Sequence, residues 1–176
     1  MRLAALLPLL AATSLVSACV SPASTKGLRT ARPVFAVEHF FAGCLRGEGR
    51  LRQIFADAQA VAVDSRGRTE PDGTVVLDQE IRRGARPPER RQWRLRPAGA
   101  GRWTGTLSDA AGPVAARVRG NELRLSFPLS RLLRMEQFLY LRPGGQIADN
   151  RATVRGLGVP VAALDEVISR KDCGNG

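Results

Sequence analysis

The sequence predicts an all-β protein: an up-and-down antiparallel meander of about nine strands that closes into a barrel. Two patterns lead to this prediction. After Cys44, apolar residues alternate with polar residues at a period of two through most of the chain. Short segments rich in glycine, proline, aspartate and asparagine separate the alternating runs and are typical of turns. A chain of 176 residues has room for one such domain.

The amino terminus has the parts of an export signal. Arg2 supplies a positive charge, and the apolar stretch 3–16 contains no charged residue. This stretch of about 14 residues is too short to span a bilayer as a helix, so a signal peptide is the better interpretation. It ends in Val16-Ser17-Ala18-Cys19, the lipobox pattern of a branched apolar residue and two small residues before a cysteine. We therefore expect residues 1–18 to be a lipoprotein signal peptide and Cys19 to carry the lipid; a plain secretory signal is the alternative.

Residues 19–33 are expected to form a lipidated tether between membrane and domain. The segment is mostly polar, contains Pro, Ser, Thr, Gly and Arg, and shows no periodicity. Acyl chains such as palmitate on Cys19 would anchor it firmly. Val20 stands where an aspartate would favour retention in the inner membrane. We therefore expect a cell-envelope protein on the outer membrane, facing the periplasm, which the lipoprotein processing and sorting machinery handles.

Residues 34–176 are expected to form the β-barrel domain. They begin with a short helix or an extended lead-in, and the strands follow. The clearest alternating runs lie at 74–82, 90–96, 102–108, 114–119 and 122–129. Gln79 and Arg91 fall in phase with the apolar positions of their runs. Turn signals lie at 65–67, 71–73, 99–101, 111–113, 120–121 and 143–145.

Closure removes the exposed edges of a long meander, because the first strand pairs with the last. Gly47 and Gly49 share one face of the first strand and ease strong coiling there. Cys44 opens that strand and Cys173 follows the last one, which leaves an even pair of cysteines in an oxidising compartment. We expect a disulfide between them across the closing seam. The alternatives are two unpaired thiols and an open sheet or sandwich in place of the barrel.

The chain is strongly basic, with a formal net charge of +11. Arginine supplies nearly all of the excess, since Lys26 and Lys171 are the only lysines. A basic surface suits nucleic acid or the anionic head groups of lipids and polysaccharides. Export argues against nucleic acid, so no nucleic-acid partner is expected. A GC-rich genome, which favours arginine codons, is a further explanation of the excess.

Spread motifs cover nearly all of the domain: Phe41-Ala42-Gly43 with Gly47 and Gly49, Trp93-Arg94-Leu95, Gly105, Asp109 and Gly112, Gly120-Asn121-Glu122-Leu123, Tyr140-Leu141 before Gly144-Gly145, and Asn150-Arg151. Through them the stretch 41–170 resembles the DUF3833 family of proteobacterial lipoproteins, which has no assigned function. The resemblance implies a calycin-like barrel similar in outline to lipocalins, and by association a role with envelope lipids. Gln137-Phe138 and Arg155-Gly156 depart from the family pattern, which puts any function of those positions in doubt.

The sequence offers no evident catalytic constellation. The only histidine, His39, lies in the apolar lead-in, and no metal-ligand spacing or phosphate-binding loop is present. Asp109 falls in a predicted turn, where turn stabilisation is its expected role. We therefore expect no enzyme activity, no metal and no cofactor. Asp109, Glu136 and Asp149 meeting in one cleft would revive the enzyme interpretation.

Six residues are candidates for a ligand site: Trp93, Trp103, Phe127, Tyr140, Asn150 and Arg151. The aromatic four are placed on the apolar face, where core filling is the alternative. Arg151 suits a carboxylate or phosphate; the alternative is that it is one of many surface arginines. Asn150 could hold a loop or bind a ligand; the alternative is that it satisfies backbone groups in a turn. The leading hypothesis is a lipid-anchored barrel that binds or carries a small apolar or lipid ligand. The runner-up is a structural or adaptor lipoprotein with a filled barrel, whose basic outer surface contacts another envelope component.

Overall fold

The computed structural model describes residues 20–174, which form one short helix and ten β-strands. The helix α1 spans Val37–Phe41. The strands are β1 (Gly43–Gln53), β2 (Ala56–Thr69), β3 (Val75–Arg83), β4 (Glu89–Pro97), β5 (Arg102–Leu107), β6 (Val114–Arg119), β7 (Glu122–Pro128), β8 (Leu133–Leu141), β9 (Ile147–Gly156) and β10 (Val159–Lys171). No helix in this part of the chain is long and apolar enough to cross a membrane. The predicted signal peptide and Cys19 lie outside the described residues.

The strands form one closed barrel in which all neighbours are antiparallel. β1 pairs with β2 on one side and with β10 on the other, which closes the sheet. This confirms the predicted closed meander, with ten strands where about nine were expected. The β1–β2 hairpin turns at Ile54 and Phe55, which belong to none of the usual turn-forming types. A count based on turn signals therefore misses it.

The predicted turn at 65–67 is wrong, because β2 runs without a break through Ala56–Thr69. Gly67 lies inside this strand, opposite Gly43 and Leu77. A Cβ atom on Gly67 would collide with the carbonyl oxygen of Phe41. The glycine allows the backbone that leads into β1 to approach β2 closely, so it marks close packing and not a turn.

The two ends of the barrel differ. Phe35 and α1 cover the end at which β1 begins, where the rings of Phe40 and Phe41 pack edge to face with centroids 5.3 Å apart. The main apolar core extends from these rings into the barrel. We call this the closed end. The opposite end carries the β1–β2, β3–β4, β5–β6, β7–β8 and β9–β10 hairpins, and we call it the hairpin end.

Residues 20–33 contact the outer surface of the barrel, and we call this segment the strap. Asn121, in the β6–β7 turn, holds it: Oδ1 accepts from the Thr30 N–H at 2.7 Å, and Nδ2 donates to the Leu28 carbonyl at 3.0 Å. Nearer its start, the Ala23 N–H donates to Thr153 Oγ1 on β9 at 3.3 Å. The segment predicted as a tether therefore packs on the barrel at these points.

A disulfide joins Cys44 and Cys173 at the closed end. Cys44 lies opposite Lys171, the last residue of β10, and the two cysteine Cα atoms are 5.2 Å apart. The bond connects positions separated by 129 residues. It therefore ties the first and last strands together at the seam of the barrel.

Candidate functional site

The barrel encloses a cavity of about 530 Å³. Its lining extends from Phe41 at the closed end to Leu51, Ile54, Leu133 and Val161 at the hairpin end. Most of the lining side chains are apolar. Pockets that hold small organic ligands typically measure roughly 300–1,000 Å³, so this cavity has the size and polarity of a ligand site.

A buried carboxyl and a buried amide meet on one wall of the cavity. Glu166 on β10 lies opposite Asn150 on β9, and Asn150 Nδ2 donates to Glu166 Oε2 at 2.6 Å. Both side chains line the cavity and are almost fully buried. Burial raises the pKa of Glu166, although the Asn150 hydrogen bond and the positive charge of Arg91 act against the rise. Asn150 Oδ1 has no hydrogen-bond partner among residues 20–174.

Two glycines of β1 make room for this carboxyl. A Cβ atom on Gly47 would collide with Glu166 Oε1, and one on Gly49 would collide with the Asp165 carbonyl oxygen. The role expected of Gly47 and Gly49 was to ease the coiling of the strand. In the structure their missing side chains leave the space that the Glu166 side chain and the β10 backbone occupy.

A guanidinium and an amide form a second polar group in the cavity. Gln79 Oε1 accepts from Trp93 Nε1 at 2.7 Å and from Arg91 Nε at 2.9 Å. The Arg91 guanidinium also lies over the Trp93 ring, 5.5 Å from its centroid. Asp109 is the carboxylate within ion-pair range of Arg91, at 3.9 Å. The terminal nitrogens of Arg91 make no hydrogen bond within the described part of the chain.

Sequence reasoning missed Gln79, Arg91 and Glu166 as site residues. Gln79 and Arg91 nevertheless fall in phase with the apolar residues of β3 and β4. A polar residue at such a position faces the interior, which is the signal that would have found them. Glu166 shows the same signal, since it alternates with Leu164 and Ile168 along β10.

Three of the six predicted residues line the cavity: Trp93, Phe127 and Asn150. The rings of Trp93 and Phe127 meet edge to face, with centroids 5.3 Å apart. Trp103 lies elsewhere. It belongs to the core cluster at the closed end, where it borders a surface hollow together with Phe35 and Val37.

Tyr140 does not face the cavity, which corrects its prediction. Its neighbours Leu139 and Leu141 take the inward positions of β8, so Tyr140 points outward. The strap covers it, with Thr25 and Glu122 as polar neighbours, and only 3% of the residue is exposed. Its burial therefore comes from the segment that lies over the outer face of the sheet.

Arg151 also points outward. Its guanidinium lies 3.5 Å from an oxygen of Asp149 and 3.4 Å from one of Asp165. Arg142 donates two hydrogen bonds to Asp149 and holds the pKa of that carboxyl below its usual value. Arg151 is thus part of an ion-pair network on the outer surface, whereas Arg83 and Arg91 are arginines that line the cavity.

The three carboxylates considered for an enzyme site have different surroundings. Asp109 lines the cavity at the hairpin end. Glu136 pairs with Arg124 at 2.5 Å, and Asp149 pairs with Arg142 at 2.7 Å. They do not meet in one cleft.

The barrel is similar to two solved structures. The S-type phycobiliprotein lyase from Guillardia theta matches with a TM-score of 0.63 at 12% identity, over 81% of this chain and 95% of the lyase. A protein of unknown function from the DUF3598 family, from Nostoc punctiforme, matches with a TM-score of 0.58 at 14% identity, over 80% of this chain and 50% of that protein. At these identities the likeness shows the calycin-like fold alone.

Curated protein sequences include no significant match to this chain. A family of proteins of unknown function, DUF3833, matches residues 13–170, which is most of the length. The chain therefore belongs to the DUF3833 family.

Proposed function

We propose that this protein is a lipid-anchored envelope lipoprotein whose barrel binds a small amphipathic molecule, such as a fatty acid or a related lipid. The observation that carries the proposal is the cavity of about 530 Å³, whose walls are apolar and whose polar groups retain unused hydrogen-bonding capacity. Burial of apolar ligand surface against such walls drives binding. The polar groups then select and orient the ligand.

The polar groups favour a ligand with an anionic or hydroxylated head. The terminal nitrogens of Arg91 suit a carboxylate or phosphate, because a guanidinium donates charge-assisted hydrogen bonds in pairs. Asn150 Oδ1 suits a hydroxyl or amide donor, because it is a buried acceptor without a partner in residues 20–174. A protonated Glu166 adds a donor on the same wall, and its raised pKa favours that form.

The anchor is the second part of the proposal. It rests on the lipobox that ends at Cys19. Metabolic labelling with palmitate should label the full-length protein, and the Cys19→Ala variant should take up no label. Equal labelling of both proteins would refute the anchor and would not affect the proposal that the cavity binds a ligand.

Ligand binding can be tested on residues 20–176, which contain every element of the barrel, its core and its disulfide. Native mass spectrometry of this protein, exported behind a cleavable secretory signal and purified gently from the periplasm, should show an added mass that organic extraction removes. Titration with a fluorescent fatty acid then measures affinity. Ala152→Phe places a ring in the cavity and should abolish binding, whereas Ala115→Phe places the same ring on the exposed face of β6. An apo mass with no uptake of added envelope lipid would refute the proposal.

Arg91→Gln tests the role of the guanidinium. A hydrogen bond to a charged group contributes about 1.5–3 kcal/mol, so the variant should bind a fatty acid roughly ten- to a hundredfold more weakly. The fatty alcohol of equal chain length serves as the matched ligand, and its affinity should change much less. Equal losses for acid and alcohol would mean that Arg91 shapes the cavity and does not bind the head group.

A row of arginines supports the adaptor as a second candidate. Arg102, Arg117 and Arg124 lie directly opposite one another on β5, β6 and β7. Such a row suits an anionic envelope component such as the phosphates of a lipopolysaccharide. The adaptor hypothesis predicts salt-sensitive binding that Arg102→Gln/Arg117→Gln weakens while ligand uptake stays unchanged. The cavity supports the ligand-binding candidate more than the adaptor, because the adaptor was expected to have a filled barrel.

A further inference from the structure

Large exposed apolar residues collect at the hairpin end. Phe55 is 88% exposed, Leu132 64%, Leu157 84% and Val159 63%. They belong to the β1–β2, β7–β8 and β9–β10 hairpins, which follow one another around the rim because the strand order is β2-β1-β10-β9-β8-β7. A single exposed apolar side chain needs no explanation, but a cluster on one rim indicates a contact surface.

Two of these side chains are held in an unfavourable backbone conformation. Phe55 has φ 58° and Leu157 has φ 49°, the left-handed region that bulky L-residues rarely adopt. Glycine would fit both positions more readily. Since both side chains are almost fully exposed, their packing contributes little to the stability of the barrel. Their presence is therefore better explained by a partner outside the barrel.

Cationic side chains and the strap reach the same end. Arg86 in the β3–β4 hairpin and Arg131 in the β7–β8 hairpin are exposed and make no ion pair within residues 20–174. Val20, the first residue of the strap, borders a surface hollow together with Phe55. Cys19 precedes Val20 in the sequence, so an acyl chain on Cys19 would be attached one residue from this point.

We infer that the hairpin end docks on a lipid bilayer. Phe55, Leu132 and Leu157 enter the boundary between head groups and acyl chains, and the two arginines lie at the level of the lipid phosphates. This inference goes beyond the proposed function, although its account of the anchor rests on that proposal. The anchor keeps the protein near the membrane, whereas the rim sets its orientation and turns the hairpin end, to which the cavity lining extends, toward the bilayer.

A reporter at the rim gives the first test. Phe55→Trp in residues 20–176 is mixed with vesicles of phosphatidylethanolamine and phosphatidylglycerol that carry brominated acyl chains. The indole fluorescence should shift to the blue and be quenched. Val34→Trp is the matched control, because Val34 is 58% exposed but follows the strap near the closed end. The native Trp93 and Trp103 are buried and give the same background in both proteins. Absent quenching of Phe55→Trp, or equal quenching of the two variants, would overturn the inference.

Substitution gives the second test. Phe55→Ser/Leu157→Gly should lower the vesicle partition coefficient by roughly tenfold or more, because two apolar side chains no longer leave water. Val34→Ser/Val167→Ser removes exposed apolar side chains elsewhere and should leave partition unchanged. Unchanged partition in the rim variant would refute docking. Fatty-acid affinity measured without vesicles should be normal in both variants, so a failure of docking is distinguishable from a failure of ligand binding.

Discussion

Removal of the seam disulfide should cost the protein a large part of its stability. The perturbation is Cys44→Ser/Cys173→Ser, which keeps side chains of similar size. Backbone pairing between β1 and β10 continues from Cys44 to Gln53 without the bond. The folded state therefore loses little, and most of the effect arises in the unfolded chain, which gains freedom when its ends are released.

The size of the effect follows from the length of the loop. The bond closes a loop between positions separated by 129 residues. The chain-entropy relation gives roughly 5 kcal/mol for a loop of that length, and measured bonds commonly contribute about 2–4 kcal/mol. We therefore expect the free energy of unfolding to fall by about 3–5 kcal/mol. Typical domains have about 5–15 kcal/mol in total, so the variant should be marginal but folded.

Urea unfolding followed by the fluorescence of the buried Trp93 and Trp103 measures this loss. Reductant should destabilise the wild-type protein by a similar amount and should leave the double variant unchanged, which makes reductant the internal control. A loss below about 1 kcal/mol would refute the reasoning, because it would mean that the unfolded chain does not behave as a flexible loop. Sensitivity of the double variant to reductant would contradict it equally.

Two further substitutions test the buried polar groups. Because burial raises the pKa of Glu166 in the folded state, the unfolded chain ionises first, and stability falls as pH rises from about 4.3, the usual glutamate value, through the folded value. Glu166→Gln should therefore raise the urea midpoint at pH 8 and barely change it at pH 4; the reverse pattern would contradict the assignment. Asn121→Ala removes hydrogen bonds to Thr30, Leu28 and Leu141 and should cost roughly 2–4 kcal/mol. Amide exchange at Thr30 should accelerate, and unchanged protection there would show that Asn121 does not hold the strap.

The fold could be predicted because an antiparallel barrel is built from local patterns. Alternation places residues on two faces, and hairpins pair neighbours in sequence order. The same alternation could have located Gln79 and Arg91, since both fall in phase with inward apolar residues. The prediction favoured Arg151 instead, and in β9 its neighbours Asn150 and Ala152 occupy the inward positions. Assigning each strand residue to the inward or the outward face would have predicted the site residues better than the resemblance to the family motif did.

Other features could not be predicted from a strand pattern. Tyr140 is buried on the outer face by a strap that has no periodicity, so no single-strand rule identifies it. Gly67 permits the β2 backbone to approach the Phe41 carbonyl closely, but the run Ser65-Arg66-Gly67 is also typical of a turn. The hairpin at Ile54 and Phe55 lacks turn-forming residues altogether. In each case tertiary contacts, and not local preference, determine the outcome.

The pairing of the first strand with the last has a consequence for how the molecule is made. β1 is synthesised before the other nine strands, whereas its partner β10 is synthesised after all of them. Until β10 arrives, one edge of β1 has no strand to pair with and is open to aggregation. Contacts between such distant segments also form slowly. Closure of the barrel, and with it the native disulfide between Cys44 and Cys173, therefore has to wait until every strand of the barrel has been made.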